Sequence, residues 1–357
     1  MPIRSTGRRP TGPRPARSRG RRTVRALCWT LAGVLVLGGG VAYWAYTRLD
    51  GNLTSIDIDS ALGGDRPGKS DTGAQNILIL GSDSRSGSNK TLASGDTGGT
   101  ARSDTAMVVH IPEGRKKATA VSIPRDTLVT RPACTKTEGG ELPAARRVMF
   151  NSVYTSGGPA CVVRTVEAMS GIRMDHYVEI DFAGFKDLVD ALGGVTVTTD
   201  RAIDDKQSGL RLSAGTHKLD GTQSLAFVRT RHGVGDGSDL GRIELQQKFI
   251  LALLDEIKQQ GVLSSPTKLY EVADAATKAL TTDSDIGSLT GLVSFAKSMQ
   301  GLDTGSMETI TLPVGYDKTD PNRVVAAQPQ ADALWNALRD GRPVPDTAKR
   351  SPAEGSS

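Results

Sequence analysis

An uncharged run of 22 residues, Ala26 to Thr47, constrains the folding of this chain more than any other feature of its sequence. A helix of that length can cross a hydrocarbon core about 30 Å thick. Four aromatic residues lie near the ends of the run, where amphipathic rings favour the interface between lipid and water: Trp29, Tyr43, Trp44 and Tyr46. The sequence therefore predicts one transmembrane helix at residues 26–47.

The charges on either side of this run predict its orientation. Residues 1–25 carry nine arginines and no acidic residue, whereas Arg48 and Asp50 follow the run. Because arginine-rich flanks stay in the cytoplasm, we expect residues 1–25 to be a cytoplasmic tail of a single-pass protein of the cell membrane, with the chain from Leu49 onward outside. A cleaved signal peptide of twin-arginine type is the alternative. The length of the apolar run and its bulky aromatic end disfavour it.

The remaining charge excludes one class of partner. Outside the tail, 35 basic and 39 acidic residues give a net charge of −4. A nucleic-acid-binding domain normally keeps its basic charge on the folded body, so no nucleic acid is expected among the partners. A hydrophobic fraction of 37% with 23% charged residues is typical of a folded globular body.

Two of the three cysteines, Cys134 and Cys161, fall in the part predicted to lie outside the cytoplasm, where thiols oxidise. A disulfide between them would close a loop of 28 residues, which stabilises a fold by about 3 to 4 kcal/mol. Two buried thiols are the alternative. A zinc site is disfavoured because the chain has only three cysteines and four histidines.

The rest of the chain divides by composition into three parts. Residues 48–73 are rich in Gly, Asp and Ser and are predicted to form a stalk. Strands interspersed with helices in residues 74–342 predict one α/β domain, with a mixed central sheet covered by helices on both faces. Residues 343–357 are predicted to be a disordered tail.

Hydrophobic patterning predicts the order of elements in that domain. Short apolar or alternating runs predict strands at residues 76–80, 105–111, 118–123, 177–180, 195–197 and 309–314. Apolar residues at helical spacing predict helices at residues 144–155, 160–170, 182–192, 239–260, 266–280, 286–299 and 331–338. The segment at 224–231 is predicted to be extended.

Residues 227–247, FVRTRHGVGDGSDLGRIELQQ, carry the pattern that points most directly to function. Residues two apart share a face of a strand, and residues four apart share a face of a helix. By that spacing the segment brings together Arg229, Arg231, Asp239, Arg242 and Gln246. Planar guanidinium groups suit phosphate oxygens, and several of them indicate a multiply charged anion such as a diphosphate.

Three further polar clusters adjoin predicted strands: Gly81 to Arg85, Arg102 to Thr105, and Pro124 to Thr127. Each alone is readable as a turn or an exposed ion pair. Open α/β sheets place their ligands at the ends of strands. Together with the arginine-rich segment, the clusters therefore predict a site for an anion and a metal ion.

In sequence order, the motifs NILILGSDSR, RSDT, SIPRDT, and R-x-R followed by D-x-G-R-x-x-x-Q-Q resemble the LytR–CpsA–Psr family over roughly residues 76–255. That family consists of membrane-anchored, extracytoplasmic glycopolymer transferases of Gram-positive envelopes with an α/β/α domain. The resemblance implies that a glycan leaves a polyprenyl-pyrophosphate carrier and joins a peptidoglycan hydroxyl as a phosphodiester, usually at C6 of muramic acid.

The resemblance also implies roles for the matching residues. Asp83 and Asp104 match carboxylates that hold Mg²⁺, a hard cation suited to carboxylate and phosphate oxygens. The positions that grip the pyrophosphate are matched by Arg102, Arg125, Arg229, Arg231, Arg242 and Gln246. Arg125 and Asp239 are the catalytic candidates, and the role of Asp239 near the phosphates stays open.

A lipid carrier needs an apolar trough. Nine apolar residues could line one, and all of them are equally readable as core: Val148, Phe150, Val153, Val162, Val163, Phe185, Leu188, Phe249 and Leu253. The four histidines form no triad with a nucleophile and are predicted to be structural or solvated: His110, His176, His217 and His232.

Two other functions remain open from the residues. The same site could hydrolyse polyprenyl pyrophosphates with water as the acceptor. It could also belong to a membrane-tethered module that binds or senses lipid-linked envelope intermediates. A transcription regulator is disfavoured, because the folded body is acidic and shows no helix-turn-helix pattern.

Overall fold

The computed structural model of the chain describes residues 19–82, 103–114, 117–137, 139–231, 239–262, 265–299, 302–303, 305 and 307–355. Asp83, Arg102 and His232 lie outside these ranges, and for Asp104 and Asp239 only the backbone is described. The chain divides into two compact units, residues 1–48 and 49–357.

The first unit contains most of helix α1 (Arg19–Asp50), which has 32 residues and includes the whole uncharged run. Large apolar side chains on α1 are exposed, among them Val36, Leu37 and Tyr43. Among the residues that the structure describes, no helix is both long enough and apolar enough to count as a membrane span.

The second unit is the α/β body. Its helices are α2 (Ile58–Leu62), α3 (Phe150–Ser170), α4 (Phe182–Ala191), α5 (Gly221–Arg229), α6 (Asp239–Gln259), α7 (Pro266–Ala279), α8 (Leu289–Ser298) and α9 (Gln330–Arg339). The strands are β1 (Thr54–Ile56), β2 (Gln75–Ser82), β3 (Ser103–Ile111), β4 (Thr119–Ser122), β5 (Thr127–Arg131), β6 (Cys134–Thr135), β7 (Glu141–Leu142), β8 (Ala145–Met149), β9 (His176–Asp181), β10 (Val195–Thr199), β11 (Ile203–Asp205), β12 (Leu210–Leu212), β13 (Gly215–Leu219), β14 (Leu280–Asp283), β15 (Glu308–Thr311), β16 (Val314–Tyr316) and β17 (Val324–Ala326).

Seven of these strands form one mixed sheet in the order β1–β14–β9–β2–β3–β4–β15, counted over the described residues. Strands β9 and β2 run parallel, whereas β2, β3 and β4 are successively antiparallel. The sheet is continued by parallel pairs at both edges, β1 with β14 and β4 with β15.

Helices cover both faces of this sheet, as predicted. Successive side chains of a strand point to opposite faces, and β2 shows this clearly. Leu78 and Leu80 pack in a core with residues of α3 and α9, while Ile77 packs on the other face in a cluster that residues of α6 and α8 complete. The continuous apolar run of β2 is therefore explained by burial on both sides.

Two smaller groups of strands complete the body. Strands β16, β17, β5 and β8 form a second sheet, and β10–β13 and β11–β12 are antiparallel pairs. The residues of these two pairs pack with α4, α5 and α6 in a third apolar cluster that includes Phe227 and Phe249.

The helix predicted at residues 144–155 begins later than expected. Residues 145–149 form β8, which pairs with β5 through Leu128 opposite Met149. Met149 is extended, and α3 begins at Phe150. The second predicted helix joins the first across a non-helical Gly158 before Pro159, where proline lacks the N–H that a continuous helix needs.

Residues of the predicted stalk and of the predicted disordered tail are packed against the body. In the predicted stalk, Ile58 and Leu62 enter the main core, and Arg66 forms an ion pair of 2.6 Å with the buried Glu167. In the predicted disordered tail, Val344, Ala348 and Ala353 are buried. Polar composition was misleading in both cases, because a few apolar residues at intervals are enough to dock a segment.

The predicted disulfide is present. Cys134 of β6 and Cys161 of α3 are joined with an S–S distance of 2.05 Å and a Cα–Cα distance of 5.6 Å. It ties the polar insertion around β6 and β7 to the second half of α3.

Candidate active site

Three neighbouring strands of the central sheet have their ends side by side, next to predicted site residues. Ser82, the last residue of β2, is the register partner of Ser103 at the start of β3 and of Asp181 at the end of β9. Because β4 is antiparallel to β3 and parallel to β15, the ends of β4 and β15 lie at this edge as well. We call it the site edge.

Arg125 lies three residues beyond the end of β4 at the site edge. Its main chain is held by a tight turn, in which the Thr127 hydroxyl donates to the Pro124 carbonyl at 2.6 Å. The Arg125 carbonyl in turn accepts from the backbone N–H of Asn151 at 3.1 Å, at the start of α3. The guanidinium Nε lies 3.4 Å from an oxygen of Asp126. The turn at residues 124–127 is thus structural, and it also fixes the position of the Arg125 main chain.

Helix α6 is fastened to the same edge through Gln247. Its side-chain amide donates to the hydroxyl of Ser122 at 3.1 Å and to that of Thr311 at 3.5 Å. These two acceptors are register partners at the ends of β4 and β15. The sequence analysis assigned no role to Gln247, although Gln246 and Gln247 are a visible polar pair at the end of the motif D-x-G-R-x-x-x-Q-Q.

Arg242 and Gln246 lie one helical turn apart on α6 and are both buried, at 3% and 6% exposure. The side-chain amide of Gln246 donates to the carbonyl of Val228 at 3.0 Å. Val228 immediately precedes Arg229 at the end of α5. A buried guanidinium is retained only where anionic or polar groups surround it, so the position of Arg242 fits a site built for an anion.

Arg229 is the last residue of α5, and its guanidinium carbon lies 5.0 Å from the ring centroid of Phe182. Phe182 opens α4, which is capped by Asp181 through a bond from Gly184 N–H of 2.9 Å. Since Asp181 is the register partner of Ser82, this stacking holds Arg229 near the site edge.

The prediction that Arg229 and Arg231 lie on one face of a strand is wrong. Asp220 and Gln223 form a capping box that starts α5, and Leu225 and Phe227 are buried on its inner side. The helix therefore continues to Arg229, and the chain becomes extended only at Thr230. The capping box, D-G-T-Q, was readable in the sequence.

Arg231 is held by a different contact. Its backbone N–H donates to a carboxylate oxygen of Asp205, the last residue of β11, at 2.9 Å. The preceding Thr230 is buried, and its hydroxyl donates to the carbonyl of Ala226 at 2.9 Å. The side chain of Arg229 and the backbone of Arg231 are thus held by separate elements.

The magnesium assignment rests on residues whose side chains the structure leaves undescribed. Asp83 and Asp104 directly follow Ser82 and Ser103, which are register partners on adjacent strands. Two carboxylates are a donor set that suits Mg²⁺ together with phosphate oxygens, so the chemistry of this pair fits. Over the described residues alone, no group of three or more His, Cys, Asp or Glu side chains could hold a metal ion.

A buried network of hydrogen bonds centres on Glu179 of β9, two residues before Asp181 at the site edge. Glu179 accepts a hydrogen bond of 2.7 Å from the Tyr154 hydroxyl of α3 and another from the Tyr177 hydroxyl. Burial, with this carboxylate beside it, raises the pKa of Tyr177 well above its usual value, so the phenol remains a donor. This network was not predicted, because Tyr154 lies on another element, 25 positions from Glu179 in the chain.

The nine apolar residues proposed for a lipid trough do not share one cluster. Phe150, Val153, Val162 and Val163 are buried in the main core under α3, whereas Phe185, Phe249 and Leu253 belong to the cluster around α4 and α6.

The described histidines are structural. His110 pairs with Asn76 at 2.7 Å, His176 with Asp283 at 3.2 Å, and His217 with the Ser213 carbonyl at 2.8 Å.

Comparison with known proteins gives a consistent picture. The model of the LytR_cpsA_psr family matches residues 45–340. The cell wall biosynthesis protein LcpA of Corynebacterium glutamicum is 32% identical, over 97% of this chain and 71% of its own length. TagT of Bacillus subtilis, a polyisoprenyl-teichoic acid–peptidoglycan teichoic acid transferase, is 30% identical over 82% of this chain and 86% of its own.

Solved structures agree. A LytR-Csp2A-Psr enzyme from Actinomyces oris superposes with a TM-score of 0.59 at 26% identity, covering 80% of this chain and 95% of its own. TagT bound to LI-WTA gives a TM-score of 0.55 at 26% identity, covering 78% and 93%.

Proposed function

The chain belongs to the LytR–CpsA–Psr family, and we propose that it transfers a glycopolymer from a polyprenyl-pyrophosphate carrier to a peptidoglycan hydroxyl. The observation that carries this proposal is the assembly of anion-binding residues at the site edge. Three separate segments supply these residues: Arg125 follows β4, Arg229 ends α5, and Arg242 and Gln246 lie on α6. The main chain of Arg125 and the side chains of Arg229 and Gln246 are held by contacts of their own, and Arg242 is buried one turn before Gln246.

The reaction forms a bond between the acceptor oxygen and the phosphorus next to the glycan. It breaks the bond between that phosphorus and the bridging oxygen and the O–H bond of the acceptor, so that polyprenyl phosphate leaves and the proton passes to it or to water. Phosphoryl transfer depends mainly on positioning and on neutralising charge in the transition state. The guanidinium groups of Arg125, Arg229, Arg231 and Arg242 would serve both purposes, with Arg102 as a further phosphate ligand. Arg125 and Asp239 remain the catalytic candidates.

We also propose that Asp83 and Asp104 hold Mg²⁺. When bound, the ion would neutralise charge on the two phosphates of the donor.

The proposed location is the outer face of the cell membrane, with residues 26–47 as the anchor. The uncharged length of this run and the nine arginines that precede it in the sequence support this placement.

Turnover of a lipid-linked glycan by the full chain tests this proposal. Arg125→Ala removes one charge partner of the transition state and should reduce release of polyprenyl phosphate by roughly two to three orders of magnitude. Arg146→Ala is the matched control, because Arg146 is an exposed arginine on β8. Unchanged turnover in Arg125→Ala would contradict the assignment.

The products of the same assay separate the other functions. Glycan phosphate attached to peptidoglycan identifies a transferase, whereas free glycan phosphate identifies a hydrolase. Binding of the donor without turnover in the presence of acceptor and Mg²⁺ would identify a sensing module instead.

A further inference from the structure

We propose that Arg323 is a positioning residue of the candidate active site: it holds the carboxylate of Asp126 and, through that carboxylate, the guanidinium of Arg125. The inference rests on the proposed function, in which Arg125 binds the pyrophosphate of the donor. Arg323 lies beyond the motifs of residues 76–255, so the sequence pattern gave it no role.

The two oxygens of the Asp126 carboxylate are each close to a different arginine. Oδ2 lies 3.4 Å from Nε of Arg125, and Oδ1 lies 3.6 Å from Nη1 of Arg323. The three side chains are only 21%, 24% and 31% exposed for Arg125, Asp126 and Arg323. Arg323 also lies 3.8 Å from Asp320 of its own loop. The negative charge of Asp126 is therefore shared between a candidate phosphate ligand and a second arginine.

The main chain brings Arg323 to Asp126. Arg323 immediately precedes β17, and Val324 of that strand is the register partner of Thr127 in the parallel strand β5. The backbone N–H of Val324 donates to the carbonyl of Asp126 at 3.4 Å. Arg323 and Asp126 thus lie side by side where the two strands begin, next to the turn that carries Arg125.

The loop that ends at Arg323 is fixed from within. Its first residue, Asp317, is buried and accepts hydrogen bonds of 3.1 and 3.0 Å from the guanidinium of Arg147 on β8. The same carboxylate accepts from the backbone N–H groups of Thr319 and Asp320, both at 2.9 Å. The carbonyl of Arg323 accepts from the N–H of Asp317 at 2.9 Å, and its own N–H donates to the Asp320 carbonyl at 2.9 Å. These bonds hold the main chain of Arg323 in one place.

Loss of the charge at Arg323 would act on Arg125 in two ways. The Asp126 carboxylate would pair more closely with Arg125 and draw its guanidinium away from the donor. The negative charge of Asp126 would also be compensated less, and it would repel the pyrophosphate. Since the pyrophosphate is charged before the reaction as well as during it, the effect falls on binding of the donor, and KM changes rather than kcat.

Steady-state turnover of the lipid-linked donor by the full chain tests the proposal. Arg323→Gln removes the charge but keeps the main-chain bonds of the loop, and KM for the donor should rise roughly 2- to 5-fold, as for a partly exposed ion pair. The value of kcat should stay that of the parent. Arg323→Lys should restore most of the parent KM, because a single charge contact does not require the planar fork of arginine.

Arg342→Gln is the matched control, because Arg342 forms an exposed ion pair of 2.6 Å with Asp340 after α9. Its KM should equal that of the parent, and thermal unfolding checks that each variant is folded. An unchanged KM in Arg323→Gln overturns the proposal. A loss in Arg323→Lys as large as that in Arg323→Gln overturns it as well, because charge is then not what Arg323 contributes.

The variant Asp126→Asn decides whether Arg323 acts through Asp126. An amide carries no charge for two arginines to share, so Arg323→Gln should raise KM little in the Asp126→Asn background. The same fold-change in both backgrounds would show that Arg323 acts on the donor directly, which overturns the positioning role. If Asp126→Asn does not fold, the comparison of Arg323→Gln with Arg323→Lys decides.

Calorimetric titration with geranyl pyrophosphate and Mg²⁺ distinguishes failure of this inference from failure of the proposed function. A parent that binds this probe but releases no polyprenyl phosphate from a lipid-linked glycan contradicts the proposed function, and the same set of variants measured by Kd then decides the role of Arg323. A parent that turns the donor over without coupling between residues 126 and 323 overturns the positioning role alone. A parent that neither binds nor turns over overturns both.

Discussion

The side-chain amide of Gln247 donates a hydrogen bond of 3.1 Å to the hydroxyl of Ser122. This bond joins the helix that carries Arg242 and Gln246 to the strand that leads to Arg125. The two groups of candidate anion-binding residues lie more than a hundred positions apart in the chain. Gln247 thus keeps them at a fixed distance from each other, and it need not touch the substrate to do so.

Gln247→Leu should therefore impair catalysis more than folding. A neutral hydrogen bond contributes about 0.5 to 1.5 kcal/mol, so turnover should fall roughly 2- to 10-fold while the thermal midpoint changes little. Steady-state kinetics and thermal unfolding of the full chain measure the two effects. Gln259→Leu, at an exposed position of the same helix, should leave turnover unchanged. Equal losses in both variants would indicate a general effect on α6.

Phe182→Leu should weaken binding of the donor. The ring of Phe182 lies 5.0 Å from the guanidinium carbon of Arg229, and such cation–π contacts contribute about 0.5 to 1 kcal/mol. The apparent KM for the lipid-linked donor should rise roughly 2- to 5-fold. Phe295→Leu is the control, since that ring packs edge-on against His176 instead. An unchanged KM in Phe182→Leu would show that stacking does not position Arg229.

Removing the disulfide should destabilise the body. The double variant Cys134→Ser/Cys161→Ser removes the crosslink that closes a loop of 28 residues in the unfolded chain. Closing a loop of that length stabilises the folded state by about 3 to 4 kcal/mol. Thermal unfolding should show a lower midpoint, and reductant should lower the midpoint of the parent chain but not of the double variant. Cys28→Ser should behave like the parent. A double variant as stable as the parent would show that the crosslink is dispensable.

Much of the fold was predictable because local patterns and tertiary packing agree. The run NILIL is a strand buried on both faces, and the helix at residues 182–192 ends just before Gly193 and Gly194, as predicted. These segments carry enough apolar periodicity for one conformation to dominate.

The failures occurred where tertiary contacts outweigh local pattern. The helical pattern at residues 144–149 is overridden by pairing with β5, and the extended reading of Arg229 missed the capping box at Asp220. The segments around Arg66 and Ala348 were predicted to be a stalk and a disordered tail, because few of their residues are apolar. Their docking depends on partners distant in sequence, such as Glu167 for Arg66.

The candidate site residues were proposed from motifs and their roles stay a prediction, whereas the contacts that hold them were not predicted. Arg125, Arg242 and Gln246 could be identified from motifs. Phe182 could not, because a ring that stacks on a guanidinium has no distinctive spacing in the sequence. Gln247 was visible as the last residue of the motif, but the two strand ends that it joins were not.

Gly184→Ala should destabilise the body, although alanine normally favours a helix interior by up to about 1 kcal/mol relative to glycine. An added Cβ at this position in α4 would lie 2.4 Å from the Cα of Ala279 in α7, a backbone atom that cannot move alone. The thermal midpoint should fall in Gly184→Ala. It should stay unchanged in Gly64→Ala, where nothing lies within 4 Å of the new Cβ. A more stable Gly184→Ala would show that α4 and α7 are packed less closely.

His110 should make the stability of the body depend on pH. Its ring is buried beside Asn76, and burial lowers its pKa from 6.5 to about 4. The folded state therefore resists protonation, whereas the unfolded state takes up a proton below pH 6.5. The neutral ring of His110 therefore makes its full contribution to the free energy of unfolding above pH 6.5. That contribution decreases as the pH falls from 6.5 to about 4, and below about 4 it changes no further.

Unfolding by urea at a series of pH values measures this effect. The parent should lose about 3 kcal/mol from this group as the pH falls from 6.5 to 4. His110→Gln cannot take up that proton, and its stability should depend less steeply on pH over the same interval. His217→Gln, whose ring bonds only a carbonyl near the surface, should keep the slope of the parent. The same slope in His110→Gln and the parent would show that other groups cause the acid sensitivity.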